Sequence, residues 1–516
     1  MRKVTLVVIL MLTAWLALPS MAQHQFMRGN CMPDSETAAG DGGGRAASRA
    51  PRHLPTPKTT WDSERTYPVA VVLMEAKDTT FSIESPNEFY QRLFNERGFN
   101  QGNGMGCVAD YFRDQSNGLL NLEFHIYGPV KVSFSMRPSD RYGINAFREA
   151  MQQVIAANPD VDYKQYDWDG NGVVEQVVFV YAGFGGNESN AKAKGCIWPN
   201  TGSFGTISAP GGVEIYNYTA SAELWAGNSQ SCGIGTICHE FSHSLGLPDI
   251  YPVGSDESLP YSMLDEWDLM DGGNFTNWGW CPPNMTPQEK MLLGWLTATE
   301  LTEAMSVRDM KPSADGGEVY QIKHTDKEYL LLENRQWNGW DAGLPGKGLV
   351  IYHVDIEKWR GNGVNSSPNR YGYQLVYADN MDYGAWENYV HTWERPKQYA
   401  NSSRMNSNFL RSASYPWATD STEVVNRGLT DSSVPAAQMY TANDEGSLLL
   451  GKPITNITMT DDGLISFDFM GGDPEGIDPL GVEPAISRQY YNLQGQQVHA
   501  PRKGIYVVNR KKVIIH

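Results

Sequence analysis

His239-Glu240-Phe241-Ser242-His243-Ser244-Leu245-Gly246-Leu247-Pro248-Asp249 decides how this chain is read. Residues four apart on a helix share a face, so His239 and His243 can direct nitrogens at one ion. Glu240 stands one step round and can hold a water on that ion. Gly246 ends the helix, because glycine alone reaches positive φ cheaply, and the bend can return Asp249 as a third ligand. Three protein ligands leave a fourth position open, as hydrolysis requires; structural zinc sites use four ligands, often cysteines. The alternative is a buried helix whose histidines are merely satisfied by hydrogen bonds. An i, i+4 histidine pair beside a glutamate is costly to bury without a use.

The rest of the chain bounds the setting. Its 516 residues suffice for two or three domains, and a hydrophobic content of 41% excludes a disordered protein. The net charge of −18 argues against nucleic acid as a partner, since phosphate binding needs a basic surface. Arg2 and Lys3 precede the apolar run Val4 to Leu18, and Ser20-Met21-Ala22 reads as a cleavage site. The reading is a signal peptide over 1–22 and a secreted or cell-surface protein. That run is too short to favour a membrane span, and no later run is apolar enough to cross a bilayer. The six cysteines (31, 107, 196, 232, 238 and 281) contain no C-x-x-C pair, and sequence does not choose among their 15 pairings.

Residues 23–66 read as a flexible leader or pro-segment, with Gly42-Gly43-Gly44 in the middle. The continuous apolar runs Tyr67–Met74 and Gln176–Tyr181 suit strands buried on both faces. Between them Phe147, Met151, Val154 and Ile155 recur at helical spacing before Asn158-Pro159. A further helix is expected over Pro287–Leu296, with proline in its first turn. This alternation predicts an α/β (α+β) catalytic domain over 67–300. Strand-like runs at 328–332, 348–352 and 464–469 then predict a β-rich module over 301–470, a linker over 471–483 and a short β segment over 484–516.

Asp167-Trp-Asp169-Gly-Asn171-Gly172-Val173-Val-Glu175 places oxygen ligands at alternate positions with glycine at the sixth, the first half of an EF-hand-type calcium loop. The twelfth position is Val178, so the full loop is absent. The calcium ligands expected are Asp167, Asp169, Asn171, Val173 and Glu175; the alternative is an Asx-rich turn without an ion. Arg28-Gly-Asn-Cys31-Met-Pro33-Asp34 holds a thiol that could occupy a zinc position, against a disulfide or no role. His353 reads as a satisfied core histidine. Trp337, Trp340, Tyr352 and Trp359 read as core aromatics, with a sugar-binding face as the alternative.

With the zinc motif in hand, the chain resembles the immune inhibitor A family of secreted, metzincin-like zinc peptidases over roughly 67–470. Besides the motif, the resemblance is carried by Val108–Gly118, Tyr127-Gly-Pro-Val130, Trp267-Asp-Leu-Met270, Leu293-Gly-Trp-Leu296 and Leu344–Asp355. It implies that His239, His243 and Asp249 hold zinc, that Glu240 is the catalytic carboxylate and that Met270 is a Met-turn floor. Asp271 and Gly272 follow Met270, so the tyrosine that serves some metzincins as an oxyanion donor is missing there. Tyr491-Asn-Leu-Gln-Gly495 and Lys503–Val508 resemble the C-terminal sorting domains of exported Bacteroidetes proteins, implying an outer-membrane export machine as a partner. A small β cap is the alternative. The expected activity is hydrolysis of protein or peptide substrates, with a silent adhesin or glycan-binding protein, or a zinc amidase, as rivals.

Overall fold

A computed structural model describes residues 56–188, 190–253, 259–260, 262–359, 363–381, 412–418 and 424–472, plus the backbone of four short strands after residue 489. The segment expected to be a signal peptide, most of the expected leader, the motif around Cys31 and most of the expected linker lie outside the described residues. The chain divides into two compact units, one running to Gly471 and one over 472–516.

The first unit is mixed α/β, with several sheets and few helices. Its opening half contains β1 (Thr66–Glu75), α1 (Pro86–Asn95), α2 (Val108–Gln115), β2 (Asn121–Lys131), α3 (Ile144–Ala157), β3 (Val177–Phe184), β4 (Asn200–Ala209), β5 (Val213–Leu224), α4 (Gly235–Ser244) and α5 (Pro287–Leu292). The five strands form one sheet in the order β2-β1-β3-β5-β4. β1 runs parallel to β2 and β3, and β3 parallel to β5; β4 closes one edge antiparallel to β5.

The apolar runs explain the central position of β1 and β3. Val69, Val71 and Leu73 enter one core with Val178, Val180 and the α4 residues Ile237, Cys238 and Phe241. The alternate residues Ala70, Val72 and Met74 enter a second core with Phe179, Tyr181 and the α3 residues Phe147, Met151 and Val154. A strand with side chains buried on both faces must lie inside a covered sheet. The helix expected to reach Leu296 stops at Leu292. Gly294 has φ +69, and a Cβ there would lie 2.4 Å from the Thr59 carbonyl oxygen, so the chain turns tightly at a point only glycine tolerates.

The second half is β-rich: β6 (Thr299–Glu300), β7 (Met305–Met310), β8 (Tyr320–Lys323), β9 (Glu328–Arg335), β10 (Gly348–Asp355), β11 (Tyr373–Leu375), β12 (Trp417–Ala418), β13 (Val424–Asn426), β14 (Ile454–Met459) and β15 (Ile465–Phe469). A five-stranded sheet (β11-β10-β9-β8-β6) faces a three-stranded one (β14-β15-β7). Leu330, Leu332, Leu349 and Ile351 share a core with Ile454, Ile465, Phe467 and Phe469. The opposite face of β9 and β10, through Tyr329, Leu331, Val350 and Tyr352, joins the core around α4. One sheet therefore closes the sandwich and also adds its other face to the core that contains α4. His353 donates or accepts at Glu328 (2.7 Å) and is a satisfied core residue. Trp340 and Tyr352 are core, whereas Trp337 is exposed beneath Lys347.

In the second unit β16 (Tyr490–Tyr491), β17 (Gln497–Val498), β18 (Gly504–Val508) and β19 (Lys511–Ile515) form an antiparallel sheet in the order β17-β16-β18-β19. Among the described residues no helix is long and apolar enough to cross a membrane. Cys107, Cys196, Cys232, Cys238 and Cys281 are all buried free thiols. Cys232 precedes α4, which starts at Gly235.

Candidate metal centre

The site begins with a helix start that lacks a side-chain cap. Close approach of another loop sets its position: a Cβ on Gly235 would lie 1.9 Å from the Asn274 carbonyl oxygen. Ten residues later the helix ends, and Gly246 takes φ +103. The amides of Gly246 and Leu247 donate back to His243 O and Ser242 O, closing the turn. Asp249 follows, fully buried, and the amide of Ile250 donates to Met270 O at 2.9 Å, tying the returning chain down.

This brings His239, His243 and Asp249 together, with one candidate ligand atom from each within 4.8 Å of the others. His239 Nε2 and His243 Nε2 lie 3.3 and 3.2 Å from Asp249 Oδ1. On the far side of each ring, Nδ1 is 2.8 Å from Leu269 O and 2.7 Å from Leu247 O respectively. A carbonyl only accepts, so each Nδ1 carries the proton and each Nε2 keeps its lone pair for the centre. Ligands around a tetrahedral zinc at about 2.0–2.1 Å lie roughly 3.3–3.4 Å apart. The donor set and spacing fit zinc. Burial opposes charging of His239, but Asp249 and Glu240 together raise its pKa above the ordinary histidine value.

Residues 69–292 match the family model of the immune inhibitor A peptidase M6 catalytic domain. The matched segment contains the whole site and covers a little under half of the chain. Pre-pro-metalloprotease PrtV of Vibrio cholerae serotype O1 is 23% identical over 253 residues, which are 42% of this chain and 26% of that protein. Immune inhibitor A of Bacillus thuringiensis subsp. alesti is 21% identical over 248 residues, 41% of this chain and 35% of that protein. This chain thus spans about a quarter to a third of these curated relatives. The matched model describes a peptidase catalytic domain, which does not favour the adhesin or amidase rivals.

Glu240 is buried beside the two rings. Its carboxylate Oε2 accepts from Thr201 Oγ1 at 2.9 Å, a partner on the edge strand β4 that no motif announces. Tyr251, two residues past Asp249, lies parallel to the His239 ring with centroids 6.4 Å apart. Met270 is fully buried, and its amide donates to Asp268 Oδ1 at 2.6 Å.

Asp268 belongs to a second polar layer under this turn. Thr286 Oγ1 lies 3.3 Å from Asp268 Oδ2 and 2.9 Å from Glu289 Oε2. Burial raises the pKa of both carboxyls, and their proximity raises that of Asp268 further. Arg335, wholly buried on β9, donates to Asp341, Asn284 O and Trp267 O, linking the sandwich to this layer. Because the folded-state pKa values lie above the unfolded ones, the fold holds the extra proton. Stability is then fully present below about pH 4 and falls as pH rises through the titration of the pair. Glu289→Gln should flatten the dependence of Tm on pH above about 4, since it removes one of the two carboxyls whose pKa the fold raises. Thermal melts at stepped pH check this, and an unchanged slope refutes it.

The calcium candidates are placed less simply. Asp167, Asp169 and Glu175 cluster within 4.8 Å by their carboxylate oxygens. Asp167 already accepts from the amides of Gly170, Asn171 and Gly172, and Glu175 from those of Trp168 and Asp169. Asn171 Oδ1 accepts from the Val173 amide, so that side chain is engaged as an Asx turn. Burial, with Asp169 and Asp167 nearby, raises Glu175 to about 7.

Proposed function

We propose that this protein is a secreted zinc endopeptidase that hydrolyses peptide bonds of extracellular proteins. The observation that carries the reading is the convergence of His239, His243 and Asp249 around one point, with Glu240 on the same helix, inside the segment that matches the M6 catalytic domain. Bound zinc would polarise the scissile carbonyl and acidify the attacking water. Glu240 takes a proton from that water, the water's electron pair goes to the carbonyl carbon, and the proton passes from Glu240 to the leaving amine as the C–N bond breaks. The two imidazoles and Asp249 hold the ion, their directions set by the carbonyls of Leu269 and Leu247. Met270 is the apolar floor under the metzincin-like site.

The domain reading is a catalytic segment over 67–300 and a β-rich module over 301–470, with export supported by Arg2, Lys3 and the apolar run after them. The 484–516 segment is read as the address for an outer-membrane export machine. Metal analysis paired with casein digestion, on the wild type and Glu240→Ala side by side, tests the whole reading. Equal digestion by both proteins sinks it.

A second metal is proposed at Asp167, Asp169, Asn171, Val173 and Glu175. Its support is the clustering of three carboxylates, one of which, Glu175, has its pKa raised to about 7 by burial and by Asp169 and Asp167. Calcium should raise Tm, by about 2.7 kcal/mol of stability at a concentration 100-fold above Kd. Binding should strengthen as pH rises through about 7, because Glu175 must lose its proton first. Calorimetric melts with and without calcium at pH 6 and 8 check this; no shift at either pH removes the site.

A further inference from the structure

The sheet face beneath the zinc helix changes character between its centre and its edge. β1 and β3 present Val69, Val71, Val178 and Val180 there. At the neighbouring positions the face becomes polar. Val178 is paired in register with Thr219 of β5, and Thr219 with Thr201 of β4. Gln176 and Thr219 are buried and Thr201 is half-buried, and valine in place of Thr219 would have the same shape without a polar group to satisfy. The hydroxyls therefore call for an explanation other than packing.

Their hydrogen bonds supply one. Gln176 Nε2 donates to Thr219 Oγ1. With its acceptor side filled, Thr219 directs its own proton onward, to Glu240 O at 3.3 Å or to Thr201 Oγ1 at 3.4 Å. Thr201 Oγ1 lies 2.7 Å from Glu240 O and 2.9 Å from Glu240 Oε2. The single proton of this hydroxyl is thus shared between the main-chain carbonyl and the carboxylate of the same residue. A glutamate has three side-chain torsions to lose, and this contact ties its far end to its own backbone.

We propose that Thr201 is a positioning residue for Glu240. It engages Oε2 and so fixes where the carboxylate lies, while Gln176 and Thr219 set the direction of the hydroxyl that does so. The inference rests on the peptidase reading. It assigns the β4 edge strand a part in the proton transfer that the zinc motif does not contain.

The test compares Thr201→Val and Thr201→Ser with the wild type, each with zinc content, Tm, kcat and KM measured. Thr201→Val should lower kcat about 10- to 100-fold, the range found when an outer-shell partner is lost, with KM and zinc content unchanged. Thr201→Ser, which keeps the hydroxyl, should restore kcat. Thr201→Ala replaces the valine variant if that one does not fold. A crystal structure of the metal-free variant supplies a readout independent of activity: the Glu240 carboxylate should leave its wild-type position. An unmoved carboxylate, an unchanged kcat or a change in KM alone overturns the proposal. If Glu240→Ala proves as active as the wild type, it is the peptidase reading that fails, and the crystallographic comparison still decides whether Thr201 positions the carboxylate.

Discussion

Glu240→Ala should lower kcat for peptide hydrolysis by about 10³-fold or more while bound zinc stays near one ion per chain. A 10³-fold loss corresponds to about 4 kcal/mol of transition-state stabilisation. The size follows from position. Glu240 is buried, next in sequence to one candidate ligand, and its carboxylate is oriented by Thr201. Glu240 stands outside the cluster of three candidate ligands, so its loss removes the proton carrier and leaves the three donors in place. Retained zinc with lost turnover is the signature of a base. Lost zinc with lost turnover would instead make Glu240 a structural partner of the site. Metal analysis and a casein assay on the same sample separate the two.

Asp249→Ala should weaken zinc binding by more than the roughly 10- to 100-fold that loss of an outer-shell partner costs. Asp249 Oδ1 stands 3.3 and 3.2 Å from the two imidazole Nε2 atoms and is the one negatively charged donor of the three. Alanine leaves two neutral imidazoles, with solvent to complete the shell, on a helix that still folds. The variant should therefore keep a metal-free Tm close to that of the wild type and lose the rise in Tm on adding zinc. Titration with a competing chelator measures the affinity. Unchanged zinc content would move the third ligand elsewhere in the chain and would require a different account of the loop after Gly246.

Both experiments probe contacts that follow from short-range sequence. The i, i+4 spacing, the glycine and the aspartate six residues after the second histidine lie within one helix and one turn. Helix pitch and glycine's access to positive φ carry the chain from one to the next. The same holds for α3, whose apolar spacing and closing Asn158 mark its extent, and for β1 and β3, whose unbroken apolar runs require a sheet covered on both sides.

The misplaced end of α5 shows where that kind of reasoning stops. Gly294 turns because the Thr59 carbonyl passes beside it, more than two hundred residues earlier in the chain. The orienting hydroxyl on Glu240 comes from 39 residues upstream, and the carbonyl that directs His239 from 30 residues downstream. The calcium-type loop is a related case. Its acidic spacing is visible in sequence, but only the folded backbone shows how many of its oxygens are already taken by amide donors.

The candidate metal-binding constellation was thus written in the sequence itself, since covalent connectivity and helical geometry bring those side chains into range whatever surrounds them. The aim of the carboxylate, the tautomer of His239, the buried acid pair under Met270 and the use of one β-sheet for two cores were decided by tertiary structure alone. Each depends on which strand lies at a sheet edge and which loop passes a helix end. Those neighbours are chosen by burying apolar surface over the whole unit, a sum that no local run of residues contains.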